Sequence, residues 1–212
     1  MVKQVSYLMD PLCGWCYGAS PALRAFRADP GLQITIAPTG LFAGDGGRPM
    51  SAAFASFAWT NDQRIANLTG QRFAEAYRTQ LLNDHSKRFD SGPATLALTA
   101  VQLTEPEREL DALSAFQLAR YVDGRDTADL VVLAAILGEL GLDAAAARLL
   151  TGDDALIGAS RKRMSSARRE MATFGVQGVP NLIVSDGETR RLVSGDALYG
   201  DPEPLLASLR VA

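Results

Sequence analysis

Apolar and polar residues alternate over residues 32–37, where Leu32, Ile34 and Ile36 are interleaved with Gln33 and Thr35. That is the period of a half-buried strand. Val5, Tyr7 and Leu8 make residues 2–9 strand-prone as well, and Asp10-Pro11 stops the run. Between these two segments the period changes. Ala19, Ala22, Leu23 and Phe26 recur at helical spacing from Gly14 to about Ala28, and Asp29-Pro30-Gly31 forbids continuation. Strand, helix and strand in this order read as a βαβ unit. Gly40, Gly44, Gly46 and Gly47 then mark residues 40–49 as a loop, either a plain connection or the wall of a substrate groove.

From about Ala52 to Phe174 the pattern is helical almost throughout. Apolar stripes run through Ala94, Ala97, Leu98 and Val101, through Leu130, Leu133, Ala134 and Leu137, and through Ile157, Met164, Ala167, Met171 and Phe174. Arg161, Lys162, Arg163, Arg168 and Arg169 accompany the third stripe and are expected on its solvated face. Beyond Gly175 the strand pattern returns. Residues 181–185 and 190–194 are joined through Asp186-Gly187, a strong hairpin signal, and Pro202 opens a last helix that buries Leu205, Leu206 and Leu209. The expectation is one unit over residues 1–212, with a core at about 1–50 and 176–212 and a helical insertion at about 51–175.

Composition narrows the possibilities. With 212 residues, 47% hydrophobic and 21% charged, the chain is that of an ordinary globular protein. A net charge of -3 gives no basic field to hold nucleic acid, so no nucleic-acid partner is expected. The apolar run at residues 130–137 is far short of the roughly 20 residues a membrane helix needs, so no membrane partner is expected either. The first strand follows the initial Met so closely that no export signal fits ahead of it, which favours the cytoplasm.

The two cysteines are too few for a disulfide scaffold, and both lie in Cys13-Gly14-Trp15-Cys16, after the first strand and at the opening of a helix. Unpaired N–H groups and the helix dipole stabilise a thiolate there, which makes Cys13 the candidate nucleophile. Cys16, one turn deeper, can attack the resulting mixed disulfide. No metal is expected, since His85 is the only histidine and no second CxxC exists. A four-residue disulfide loop would restrain little of the unfolded chain, so a purely structural bond is a poor reading. Far along the chain, Gly175-Val176-Gln177-Gly178-Val179-Pro180-Asn181 places a proline directly before a strand, either as a cis peptide or as a trans start to an edge strand.

Asp10 to Cys16, the helical insertion and Gly178-Val179-Pro180 together resemble the DsbA family of the thioredoxin superfamily over essentially the whole chain. Gly40-Leu41-Phe42-Ala43-Gly44 and Gly175 to Pro180 look more narrowly like its cytosolic branch, which includes FrnE-like proteins. The resemblance implies an α/β thioredoxin fold with a large all-helical insertion before the C-terminal hairpin and helix. It also implies a thiol-disulfide oxidoreductase acting on protein or small-molecule thiols and disulfides. Pro180 would be cis and packed on the cysteine pair, and Val179 would offer its backbone to substrate. No bound cofactor is implied; external thiols such as glutathione and an external redox partner are. Gly14-Trp15 replaces the Pro-His of the strongly oxidising members, so the pair is expected to be less oxidising.

Asp10 is either a general base that relays the proton of Cys16 or a turn residue bonding nearby backbone. Pro11, Leu12, Trp15 and Val179 are expected to give the site an apolar rim, with Phe42, Trp59 and Phe89 extending it. Two other functions compete. Kappa-class glutathione transferases and 2-hydroxychromene-2-carboxylate isomerases resemble the same fold, but usually carry Ser where Cys13 stands. A redox-switched peptide-binding chaperone is the other.

Overall fold

A computed structural model describes residues 2–211. In chain order the elements are β1 (Lys3–Met9), α1 (Gly14–Gly18), α2 (Ser20–Arg27), β2 (Leu32–Pro38), β3 (Arg48–Pro49), α3 (Ala52–Thr69) and the short α4 (Glu75–Tyr77), which runs into a π-helical turn at Arg78–Leu82. They continue with β4 (Arg88–Phe89), α5 (Gly92–Thr104), α6 (Glu109–Tyr121), α7 (Leu130–Glu139), α8 (Asp143–Thr151), α9 (Asp154–Thr173), β5 (Asn181–Ser185), β6 (Arg190–Ser194) and α10 (Glu203–Val211). The main sheet has the order β2-β1-β5-β6, with β1 parallel to β2 and antiparallel to β5. This is the α/β thioredoxin arrangement, with many helices between the βαβ unit and the hairpin.

Alternation along the strands decides what covers each face. Tyr7 and Leu182 belong to the large core, which runs through Leu23 and Phe26 of α2 into Leu98, Phe116 and Leu137 of the helical segment. Leu8 and Ile183 face the other way and are covered by Ala167 and Met171 of α9. Helices therefore seal both faces, as a sheet with apolar residues on both sides requires. Among the described residues no helix is long and apolar enough to cross a membrane.

The helix expected over residues 14–28 is divided into α1 and α2. Pro21 stands in the first turn of α2, where its missing N–H costs nothing; inside a continuous helix it would collide with the carbonyl of Tyr17. That carbonyl instead accepts from the Ser20 hydroxyl at 2.7 Å. The third apolar stripe is also turned from its expected position, since the buried side of α9 is Leu156, Ser160, Ala167 and Met171, and Ile157 and Met164 are only half-buried.

Of the basic residues expected in solvent, Arg161, Lys162, Arg168 and Arg169 are exposed and Arg163 is half-buried, and two of the five reach back to backbone carbonyls. Arg163 pairs with Glu109 at 2.6 Å and donates to the carbonyl of Ile36. Arg168 donates to the carbonyls of Thr39 and Gly40. Carbonyls at the end of β2 that no strand satisfies draw the guanidinium groups in.

Candidate active site

Register builds the site. In the β1–β5 pairing Leu8 faces Asn181, so the residue before β5, Pro180, reaches the end of β1 from which the chain runs to Cys13. The Val179–Pro180 peptide is cis. Gly195 packs against the carbonyl of Pro180 so closely that no Cβ would fit, and its N–H donates to Asn181 Oδ1 at 3.2 Å. Across this junction Cys13 Sγ donates to the carbonyl of Val179 at 3.7 Å.

The two thiols have different surroundings. Both are free, but Cys13, the residue preceding α1, is 7% exposed and Cys16 is fully buried. Burial pushes the Cys16 thiol well above its ordinary value, and the adjacent Cys13 adds to the shift. Three tyrosine hydroxyls fix the backbone around the pair. Tyr121 donates to the carbonyl of Leu12 at 2.8 Å, Tyr199 to that of Trp15 at 3.3 Å and Tyr7 to that of Cys16 at 3.2 Å. Burial holds all three hydroxyls protonated by raising them, and for Tyr7 and Tyr199 the cysteines raise them further.

Asp10 is buried, and its two oxygens are occupied. Oδ1 accepts from the N–H of Leu12 at 3.0 Å, and Oδ2 accepts from the N–H of Phe42 at 3.0 Å and the Ser91 hydroxyl at 2.7 Å. Burial raises the carboxyl above its usual range while these three donors pull it back. The side chain thus joins the segment before Cys13 to the glycine loop and to the start of α5.

Two openings flank the cysteines. A groove of about 290 Å³ is lined by Trp15, Val179, Pro180, Asn181, Gly195 and Tyr199, with the Trp15 and Tyr199 ring centres 5.2 Å apart. On the other side of Cys13 lies a cavity of about 240 Å³ whose walls include Phe42, Phe54, Phe89, Tyr77, Tyr121 and Asp62. Arg48 stands at its wall, 5.1 Å over the Phe54 ring, and Phe57, 66% exposed, lies at its mouth.

Of the residues singled out in the sequence, Cys13, Cys16, Gly14, Trp15, Val179 and Pro180 converge here. Pro11 and Leu12 do not form an exposed rim. Both are buried; Leu12 forms part of the cavity floor, and Pro11 lines neither opening, because the turn after β1 folds them under the site. Phe42 and Phe89 line the cavity, whereas Trp59 lies outside it beneath Arg78, and His85 is exposed. Sequence reasoning missed Asp62, Tyr77, Tyr121 and Tyr199. Only Asp62 left a signal, as a carboxylate in the helical stripe Ala55, Ala58, Asp62, Ile65.

A four-stranded sheet that sets a CxxC against a cis-proline defines the thioredoxin class of thiol-disulfide oxidoreductases. Residues 4–200 match the family model described as the DSBA-like thioredoxin domain, and the chain belongs to that family. The cytosolic disulfide reductase DsbM from Pseudomonas aeruginosa is 32% identical, superimposes with a TM-score of 0.87, and is matched over 99% of this chain and 100% of its own. The structure of that reductase with GSH gives 32% identity, a TM-score of 0.82, and coverage of 98% and 100%. A putative protein disulfide isomerase from Nitrosomonas europaea shares the fold at 24% identity, TM-score 0.79, over 99% of this chain and 96% of its own. No curated protein matches. The chain is accordingly a DsbA-type disulfide oxidoreductase that acts on thiols and disulfides.

Proposed function

We propose that this oxidoreductase works as a cytoplasmic disulfide reductase, with Cys13 as the attacking thiolate and Cys16 as the resolving thiol. The observation that carries the reading is the asymmetry of the pair: Cys13 lines the cavity and contacts the Val179 carbonyl at the groove, while Cys16 is sealed from solvent and holds its proton. Cys13 attacks one sulfur of a substrate disulfide, the S–S bond breaks, and the other half leaves as a thiol. Cys16, once deprotonated, attacks Cys13 and expels the second half, which leaves the Cys13–Cys16 disulfide. Two external thiols of the glutathione class then return the pair to the dithiol. The 32% identity to a cytosolic reductase whose structure was determined with GSH supports both the thiol and the compartment.

Two surfaces serve substrate in this reading. An extended peptide lies in the groove along Trp15, Val179 and Pro180, where it takes over the Val179 carbonyl that Cys13 now contacts. Small disulfides enter the cavity. Asp10 is a positioning residue, since its two oxygens accept from Leu12, Phe42 and Ser91 and so hold the segment before Cys13 in place. Cys13→Ser is expected to abolish insulin reduction and glutathione-dependent exchange, and Cys16→Ser to accumulate a mixed disulfide at Cys13, read by intact mass. Undiminished turnover in Cys13→Ser would refute the assignment.

A further inference from the structure

The proposed cycle leaves one buried acid of the site unused. Asp62 projects from the apolar side of α3, is 5% exposed, and lines the same cavity as Cys13. A Cβ added at Gly14 would lie 2.5 Å from its Oδ1, so the carboxyl rests on the residue that directly follows the nucleophile. Its Oδ2 is buried with no hydrogen-bond partner, a costly state in a cavity with mostly apolar walls. Few charged or titratable groups face it. They are the hydroxyls of Tyr77 and Tyr121, the guanidinium of Arg120 stacked over the rings of Tyr77 and Phe89, Arg48 across the cavity, and Cys13.

We propose that Asp62 is a catalytic residue that passes a proton to the alkyl thiolate expelled into the cavity when Cys13 attacks a small disulfide. The step balances. The Cys13 thiolate forms a bond to one substrate sulfur, the S–S bond breaks, its electron pair leaves with the second sulfur, and that sulfur takes the proton of the Asp62 carboxyl. In the return half-reaction the Asp62 carboxylate removes the proton of an entering thiol, whose sulfur attacks Cys13 and releases the Cys16 thiolate. This inference rests on Cys13 being the nucleophile.

The surroundings explain why the reaction needs such a group. A bare thiolate released among Phe42, Phe54 and Phe89 has lost its water and recovers none of that solvation from the rings, and the Arg48 guanidinium at the wall is already stacked over Phe54. An alkyl thiol has a pKa of about 8.5, well above an ordinary carboxyl. Burial lifts Asp62 from 3.8 to about 7, against the opposing pull of Tyr77 and Arg120, so near neutrality it still carries a proton and can yield it downhill.

Stopped-flow single turnovers test this with the reduced protein and Asp62→Asn, using hydroxyethyl disulfide, which releases an alkyl thiolate, and dithiodipyridine, which is neutral and releases an acidic aromatic thiol. The ratio of the two rates cancels the ionisation of Cys13, which is common to both. In the wild type the alkyl-to-aromatic ratio is expected to fall as pH rises through about 7, where Asp62 loses its proton. In Asp62→Asn the ratio at mildly acid pH is expected to be about tenfold lower and independent of pH, a smaller effect than most general acids give because a thiolate is already a fair leaving group. Equal ratios in the two proteins at every pH would overturn the inference. Failure of the underlying reading looks different: dithiodipyridine would then react as fast with Cys13→Ser as with the wild type.

Discussion

At the residue scale, the same burial that suits Asp62 to proton transfer makes it a liability to the fold. Its carboxyl is raised from 3.8 to about 7 by desolvation, so the folded state prefers the protonated form. That preference is fully present below the unfolded value and is lost as pH rises toward and through about 7, after which the folded protein carries a buried charge. Asp62→Asn cannot ionise. Its stability relative to the wild type is therefore expected to widen in its favour between about pH 4 and pH 7, by up to roughly 4 kcal/mol, and then level off. Calorimetry at acid and mildly alkaline pH checks this, and a gap that does not change with pH would contradict it. Cys13 and Cys16 were legible because their chemistry depends on spacing within one helical turn. Asp62 showed only as a carboxylate in an apolar helical stripe, because its role depends on α3 lying against α1, a contact between residues about fifty positions apart that no local pattern encodes.

At the element scale, the strands were the easiest to read. Period-2 alternation marked residues 32–37 and Asp186-Gly187 marked the hairpin of residues 181–185 and 190–194, and both strands of the βαβ unit appeared at their expected positions. The errors lay in helices, where a stripe of apolar residues fixes the period but not which side an arginine takes. Arg163 illustrates the difference, since it turns to Glu109 and the carbonyl of Ile36; Arg168 is exposed as expected, yet its guanidinium donates to the carbonyls of Thr39 and Gly40 and so ties α9 to the base of the glycine loop. That loop carries Phe42 and Arg48 into the cavity wall, and Gly40, at φ 58, holds the left-handed conformation where it leaves β2. Arg168→Ala removes two charge-assisted hydrogen bonds and is expected to cost about 2–4 kcal/mol. Hydrogen exchange at residues 40–47 is expected to rise more than in α5 or α6, which separates a loosened loop from general destabilisation. Uniform acceleration across the molecule would count against the tether.

At the scale of the whole molecule, the proposed reductase direction rests on how the sheet and the helices enclose the pair. Both thiols must be fitted into a closed environment: Cys16 beneath the Tyr7 hydroxyl with burial holding its proton on, and Cys13 between the Val179 carbonyl and an aromatic cavity. Strongly oxidising pairs work by stabilising the reduced form through a favoured thiolate. Here the dipeptide Gly14-Trp15 supplies no cation, and the carboxyls of Asp10 and Asp62 are the acidic groups nearest the pair. Because burial withholds stabilisation from the Cys16 thiolate, the reduced pair lacks the favoured thiolate of the strong oxidants, and this is expected to make the dithiol the better electron donor. With no third cysteine in the chain to act as an internal relay, electron transfer beyond the pair must involve another molecule, and the potential is measured directly by equilibrium against reduced and oxidised glutathione. The expected value lies nearer the about -270 mV of thioredoxin than the about -120 mV of strongly oxidising DsbA, and Trp15→His, which places a cationic partner beside Cys13, is expected to move it upward. A wild-type potential close to the oxidising end, unmoved by Trp15→His, would show that the surroundings of Cys16 do not set the direction.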